Sequence, residues 1–308
     1  MKIITDGKKI KLKRSSTVMV GVFDGVHTGH QKIINYGISR ARKLGIAGVI
    51  VTFSPHPSKV IEPENTPPLL ISLEHRLRIF EELGADMCLV VKFTRALSKL
   101  SAKEFVEKYL VGMLKIKLLV VGPRFYFGRY RDGDIHMLER LGRQYRFGVK
   151  QIGHVKHKGI AVSSTYIRWL ISQGSLDEAR KLLARPVSVL GTVTRGSALG
   201  RELGYPTANV NPHHEVTPPP GVYAVKIKYD NKLYAGILNI GFRPTFVLYK
   251  SEPSIEVHIF NFNKKIYGHD LEIYFVKKLR NERKFLSHTA LIAQIRKDEK
   301  FVRSILKI

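Results

Sequence analysis

The chain has 308 residues, 44% hydrophobic and 25% charged, which allows two domains with full-sized cores and excludes wholesale disorder. Its single cysteine, Cys88, excludes an intramolecular disulfide framework and a cysteine-rich zinc site, and fits a reducing compartment. The net charge of +27 favours polyanionic partners, but Lys and Arg outnumber Asp and Glu by 32 to 15 over residues 1–184 and by 20 to 10 over 185–308, so the excess forms no block and reads first as a basic surface.

Residues 1–16 are mostly polar and basic, without the apolar stretch of a signal peptide, and fit an edge strand or a basic arm. Residues 17–23 predict a buried strand. Residues 29–44 predict a helix, with Ile33, Ile34, Ile38 and Ala41 at helical spacing and Gly45 as its stop. A strand at 47–53 follows, then a helix at 73–83 with Ser72 as candidate N-cap and Gly84 as its end. Strands at 87–91, 118–121 and 148–152 alternate with helices at 102–114 and 135–145. This rhythm predicts an α/β domain, a mostly parallel sheet covered by helices, whose ligands bind at the carboxyl ends of the strands.

After a helix at 176–184, Pro186 marks a change of rhythm. Residues 222–229 alternate, with Tyr223, Val225, Ile227 and Tyr229 on one face and Lys226 and Lys228 on the other. Asp230-Asn231 is a tight-turn signal, and strands at 233–240, 255–262 and 271–277 continue the series. Consecutive strands of this kind predict an all-β domain, an antiparallel barrel or sandwich. A last helix at 289–306 carries an apolar stripe, Ile292, Ile295, Val302 and Ile305, read as a docking face. The expected domains are therefore 1–184 and 185–308. The apolar runs have strand length and none can span a bilayer, so the chain reads as cytoplasmic with no membrane partner.

The strongest local signal is Gly21-Val22-Phe23-Asp24-Gly25-Val26-His27-Thr28-Gly29-His30. It lies where a strand gives way to a helix. Glycines there let the backbone approach a ligand closely, and a helix N-terminus attracts phosphate. His27 and His30 can both donate to that anion. With no cysteine and no third clustered histidine, a zinc reading is weak. Ser163-Ser164-Thr165-Tyr166-Ile167-Arg168 offers hydroxyls at a second helix start with Arg168 one turn in. Alone it is as readily a plain N-cap. Together the two motifs make a clamp for a triphosphate, and transfer at phosphorus needs mainly positioning and charge stabilisation.

In the second domain, Thr194-Arg195-Gly196-Ser197-Ala198-Leu199-Gly200-Arg201-Glu202-Leu203-Gly204-Tyr205-Pro206-Thr207-Ala208-Asn209 is rich in glycine and basic groups but lacks the Gly-Lys-Ser/Thr ending of a Walker A loop. Thr207 and Asn209 are oxygen ligands suited to a hard cation such as Mg²⁺. Glu256, in a strand with apolar neighbours, is either a general base or an ordinary outward-facing residue.

At these residues the chain resembles the prokaryotic bifunctional riboflavin kinase/FAD synthetases. The first domain resembles the family's adenylyltransferase module over Gly21 to Gln31, Phe53-Ser54-Pro55-His56-Pro57, Phe125-Tyr126-Phe127-Gly128 and Ser163 to Arg168. The second resembles riboflavin kinase over Gly200-Arg201-Glu202-Leu203-Gly204-Tyr205-Pro206-Thr207-Ala208-Asn209, Asn239-Ile240-Gly241-Phe242-Arg243-Pro244-Thr245, Glu256-Val257-His258 and Leu279 to Phe285. The resemblance implies a Rossmann-like nucleotidylyltransferase domain followed by a riboflavin-kinase barrel with a C-terminal helix. It implies ATP as co-substrate, Mg²⁺ as cofactor, and riboflavin, FMN and FAD as substrates and products. His27 and His30 would stabilise the phosphates while FMN attacks the α-phosphorus of ATP. Gly21, Phe23, Asp24, Gly25, Gly29, Ser163, Ser164, Thr165 and Arg168 would surround the nucleotide. Gly196, Gly200 and Arg201 would belong to a second phosphate-covering loop, Thr207 and Asn209 to the cation and ATP phosphates, and Glu256 would activate the ribityl hydroxyl. His56, Arg124, Phe125 and Phe127 would lie near the flavin in the first domain, Arg280 and Phe285 in the second.

One position departs from the family. Arg124 stands where an Asp or Asn usually precedes the Phe-x-Phe-Gly stretch. A cation in place of an acceptor either weakens adenylylation or contacts the FMN phosphate. A kinase with weak or lost adenylyltransfer is therefore one alternative. A nucleic-acid-binding protein on the same scaffold is another, motivated by charge alone.

Overall fold

The computed structural model describes residues 1–5, 12–196, 200, 203–213, 215–242 and 253–307. The chain divides into two compact units, one of Met1–Pro67 with Leu73–Ser164, the other of Pro68–Ser72 with Thr165–Ile308.

The first unit is built on six strands: β1 (Lys2–Thr5), β2 (Ser16–Val20), β3 (Ala47–Ser54), β4 (Met87–Lys92), β5 (Ile116–Val121) and β6 (Gly148–Gln151). They form one parallel sheet in the order β1-β4-β3-β2-β5-β6, and a separate short antiparallel pair follows, β7 (Lys156–His157) with β8 (Ile160–Ala161). The N-terminal segment thus supplies an edge strand. The buried faces are Val, Ile and Leu, as a sheet covered on both sides requires. Helices α1 (Thr28–Leu44), α2 (Pro57–Ile61), α3 (Leu73–Glu82), α4 (Arg95–Ser98), α5 (Ala102–Phe105) and α6 (Ile135–Tyr145) lie between the strands. From β2 the chain winds through β3 to β4, then crosses back to β5, so the strand order reverses between β2 and β5. Ligand crevices open at such a switch point, beyond the carboxyl ends of the strands.

Two elements differ from expectation. The strand read at 17–23 stops at Val20, because Phe23 adopts φ 52° and the chain turns out of the sheet. The helix read at 102–114 is α-helical only over α5 and continues as a π-helix, Val106–Met113, closed by Leu114 N donating to Tyr109 O at 3.1 Å.

The second unit begins with α7 (Ser164–Ser172, from its second residue) and α8 (Leu176–Leu183). It then builds β9 (Ser188–Thr194), β10 (Ala208–Asn211), β11 (Gly221–Tyr229), β12 (Lys232–Phe242), β13 (Pro253–Ile259) and β14 (Asp270–Arg280). Every paired strand is antiparallel and the barrel closes in the order β10-β13-β12-β11-β14-β9. The β11–β12 hairpin turns on Asp230 and Asn231, both at positive φ, as a two-residue turn between twisted strands demands. Tyr223, Val225, Ile227, Leu238, Ile240, Ile255 and Val257 are buried and fill the barrel. Their neighbours in sequence face outward. The last helix, α9 (His288–Leu306), lies on that outer face, with Val302, Ile305 and Leu306 packed against Ala224, Ile237 and Phe260. Buried Glu215 ties the unit together, accepting from Ser72 N at 2.7 Å and Leu190 N at 3.0 Å.

Candidate active sites

The first site grows from the end of β2. Residues 21–30 fold into a tight loop with Phe23, Gly25 and Val26 all at positive φ. A β-branched residue rarely adopts that conformation, so burial must hold Val26 there. The loop delivers His27 as the N-cap of α1. Its Nδ1 accepts from His30 N at 3.4 Å, so the neutral ring carries its proton on Nε2. The His30 ring stacks on His27 with centroids 3.6 Å apart. Gly29 makes this possible: a Cβ there would lie 3.1 Å from the His27 ring. Both imidazoles thus sit at the positive end of a 17-residue helix.

Of the other expected residues of this unit, Gly21, Asp24 and Ser164 lie at the loop. Gly21 lies under the Phe23 ring, where a Cβ would come to 3.0 Å. Asp24 is buried, and its carbonyl accepts from Ser164 Oγ at 2.8 Å, which brings Ser164 to the first motif. Ser163 immediately precedes that serine. Thr165 and Arg168 fall in the second unit, where Arg168 Nε donates to Pro68 O at 2.8 Å. His56 caps α2, with Nδ1 3.2 Å from Ser58 N and 2.6 Å from Ser58 Oγ. Phe125 and Phe127 stack on each other 5.2 Å apart and pack on the core. Arg124 is exposed.

One group went unnoticed in the sequence. Arg76, on α3, is 2% exposed. Its Nη1 donates to Val22 O at 2.5 Å and Thr52 Oγ1 at 3.0 Å, and Nη2 reaches Phe53 O at 3.5 Å. Thr52 Oγ1 in turn donates to Val22 O at 3.0 Å. Burial pushes this guanidinium below its ordinary range, and the nearby Asp24 charge pulls it back. The fork therefore fastens the histidine loop to β3.

The second site lies on the outer wall of the barrel, under α9. A pocket of about 390 Å³ is lined by Gly200, Leu203, Tyr205, Thr207, Val222, Ile237, Asn239, Glu256, His258, Arg280, Glu282, Arg283, Phe285, Leu291, Ile295 and Asp298. Strand register explains the polar part. Asn209 on β10 pairs with Glu256 on β13, Glu256 with Asn239 on β12, Asn239 with Val222 on β11, and Val222 with Arg280 on β14. Directly paired residues point to one face, so these five side chains form a row across the barrel. Arg280 is held by Asp298 of α9 at 2.9 and 3.0 Å and lies over the Phe285 ring.

The expected hard-oxygen ligands fit a cation that arrives with phosphate. Thr207 Oγ1 and the Asn209 side chain stand beside Gly200 and Gly196: a Cβ at Gly196 would overlap the Asn209 amide, and one at Gly200 would come to 3.1 Å from Thr207 Oγ1. Among the described residues no cluster of three or more His, Cys, Asp or Glu could hold a metal by itself. A hydroxyl and an amide suit a cation that keeps its waters and leans on a nucleotide. Arg201 lies outside the described residues.

Comparison with known proteins gives the family. The FAD synthetase family model matches residues 9–166, and the riboflavin kinase model matches 183–306. Curated relatives named bifunctional riboflavin kinase/FMN adenylyltransferase share 38% identity with the chain in Buchnera aphidicola of Schizaphis graminum, over 97% of this chain and 96% of that one, and 37% in Bacillus subtilis, over 94% and 92%. The chain belongs to the bifunctional riboflavin kinase/FMN adenylyltransferase family. A solved structure described as a macrolide-efflux protein from Streptococcus pneumoniae is 31% identical, covers 98% of the chain and 99% of its own, and superposes with a TM-score of 0.84. That description belongs to the other protein. No helix among the described residues here is long and apolar enough to cross a membrane.

Within this family assignment, the histidine loop and Arg76 fall inside the FAD synthetase match, and the polar row falls inside the riboflavin kinase match. The stretch that carries Arg168 lies between the two matches.

Proposed function

We propose that the chain makes both flavin cofactors: ATP-dependent phosphorylation of riboflavin to FMN on the barrel, and adenylylation of FMN to FAD, with release of pyrophosphate, on the parallel sheet. The observation that carries this is the presence of both family matches on one chain, each covering one of the two built sites.

On the barrel, Glu256 takes the proton of the ribityl hydroxyl as that oxygen attacks the γ-phosphorus of ATP, whose bond to the bridging oxygen breaks to release ADP. Its place in a strand paired on both sides supports this role, because a base must be held within hydrogen-bond reach of its proton. Thr207 and Asn209 hold a divalent cation, Mg²⁺ by its oxygen ligands, with Gly200 and Gly196 beside them at the phosphates. The cation supplies neutralisation of the phosphate charge. Arg280 and Phe285 flank the flavin.

On the sheet, the FMN phosphate attacks the α-phosphorus of ATP. His27 Nε2 and His30, at the N-terminus of α1, stabilise the charge that builds on the phosphate oxygens. Ser163 and Ser164, the latter hydrogen-bonded to the loop at Asp24 O, serve the triphosphate. Arg124, exposed beside Phe125, meets the FMN phosphate. A cytoplasmic setting suits this pair of ATP-consuming reactions.

Incubating purified protein with riboflavin, ATP and Mg²⁺ and separating the flavins by chromatography tests the reading. FMN and FAD are both expected. The absence of both from folded protein overturns it. FMN without FAD leaves only the kinase and points to Arg124.

Arg76 acts as a positioning residue for the adenylyl site. Arg76→Met is expected to lower kcat for adenylylation by about 10- to 100-fold, the scale of a small misplacement of catalytic groups. KM for FMN should change less, Arg76→Lys should recover part of the rate, and riboflavin phosphorylation should stay intact. Equal loss of both activities would mark Arg76 as a folding residue only.

A further inference from the structure

We infer that Asn239 determines flavin specificity in the barrel site, its Oδ1 accepting a hydrogen bond from a ribityl hydroxyl other than the one phosphorylated. This rests on the kinase reading of that site.

Two observations carry it. Asn239 Nδ2 donates to Glu282 Oε1 at 2.9 Å. A carboxylate only accepts, so this contact fixes which end of the amide faces Glu282. Gly241 keeps the arrangement open, since a Cβ there would overlap the Glu282 carboxylate. The other end, Oδ1, is buried and has no hydrogen-bond partner among the described residues. Buried acceptors are rarely left so, and this one belongs to a pocket-lining residue. A donor from a ligand satisfies it.

Position identifies the donor. The row across the barrel runs Asn209, Glu256, Asn239, Val222, Arg280. Asn209, the proposed cation side, is two strands from Asn239, about 10 Å at ordinary strand spacing. Glu256 stands between them. A substrate whose reacting hydroxyl meets Glu256 has its phosphate acceptor end towards Asn209. The rest of its polyol continues towards Asn239, and its apolar ring towards Val222 and Ile237. The groups at Asn239 are therefore the inner hydroxyls of the ribityl chain, which are donors.

The test uses riboflavin analogues lacking the 2′, 3′ or 4′ hydroxyl, assayed for phosphorylation by the full chain and by Asn239→Ala. In the unaltered protein, one of the three deletions should lower kcat/KM about tenfold or more, as expected where a site's polar group is left unpaired. In Asn239→Ala that analogue and riboflavin should become nearly equivalent. Adenylylation of supplied FMN by the same variant should be unchanged, which reports that the protein is folded. If Asn239→Ala does not fold, Asn239→Ser is compared in the same way. Equal penalties for every analogue in both proteins overturn the inference. So does a variant whose only change is a raised Mg²⁺ requirement. Failure of the unaltered protein to phosphorylate riboflavin at all would instead sink the kinase reading itself.

Discussion

Glu256→Gln is expected to stop FMN formation while leaving adenylylation of supplied FMN at its normal rate. The substitution keeps shape and burial and removes only the ability to take a proton. General bases contribute about 10²- to 10⁴-fold, so the loss should be at least 100-fold in kcat. It should appear in kcat with little change in KM for riboflavin, because a neutral amide still fills the row between Asn209 and Asn239. A variant that phosphorylates riboflavin within a few-fold of normal would show that Glu256 is an ordinary strand residue.

His27→Ala should have the opposite selectivity. Removing a preorganised donor aimed at a developing oxyanion costs about 10²- to 10³-fold. FAD formation should fall by that factor, and FMN formation should persist, so FMN accumulates when riboflavin is supplied. The loss has two parts, because His27 also caps α1 and supports the stacked His30 ring. His27→Asn keeps a capping side chain but loses the imidazole donor. If His27→Asn restored FAD synthesis, capping rather than charge stabilisation would be the role of His27.

Much of this was legible in the sequence, for identifiable reasons. The barrel strands followed from alternation: Tyr223, Val225 and Ile227 fill the interior as the period of two demands. The histidine loop was legible because glycines and histidines at a strand–helix junction are an unusual local pattern. Glu256 was harder. Alternation correctly turned it outward from the barrel, but outward here means under α9, which local sequence does not reveal. Arg76 gave no signal. It reads as a solvent-facing cation on an amphipathic helix, and the carbonyls it binds lie 54 and 23 residues away. The π-helix after α5 was also hidden, because apolar spacing does not distinguish it from an α-helix over so short a run. Asn239 lay within a recognisable motif, but the orientation of its amide depends on Glu282, which is 43 residues away.

The barrel interior is filled by buried side chains such as Tyr223, Val225 and Ile227, and the polar pocket lies instead between its outer wall and a single helix. Support and selectivity are therefore carried by different surfaces of the same strands. Leu291 and Ile295 of α9 line the pocket without belonging to the barrel interior, so exchanging them is expected to change the pocket while leaving the barrel closed. For engineering, the helix is a replaceable jaw on a fixed anvil, and libraries confined to it should retain folded protein while searching substrate range.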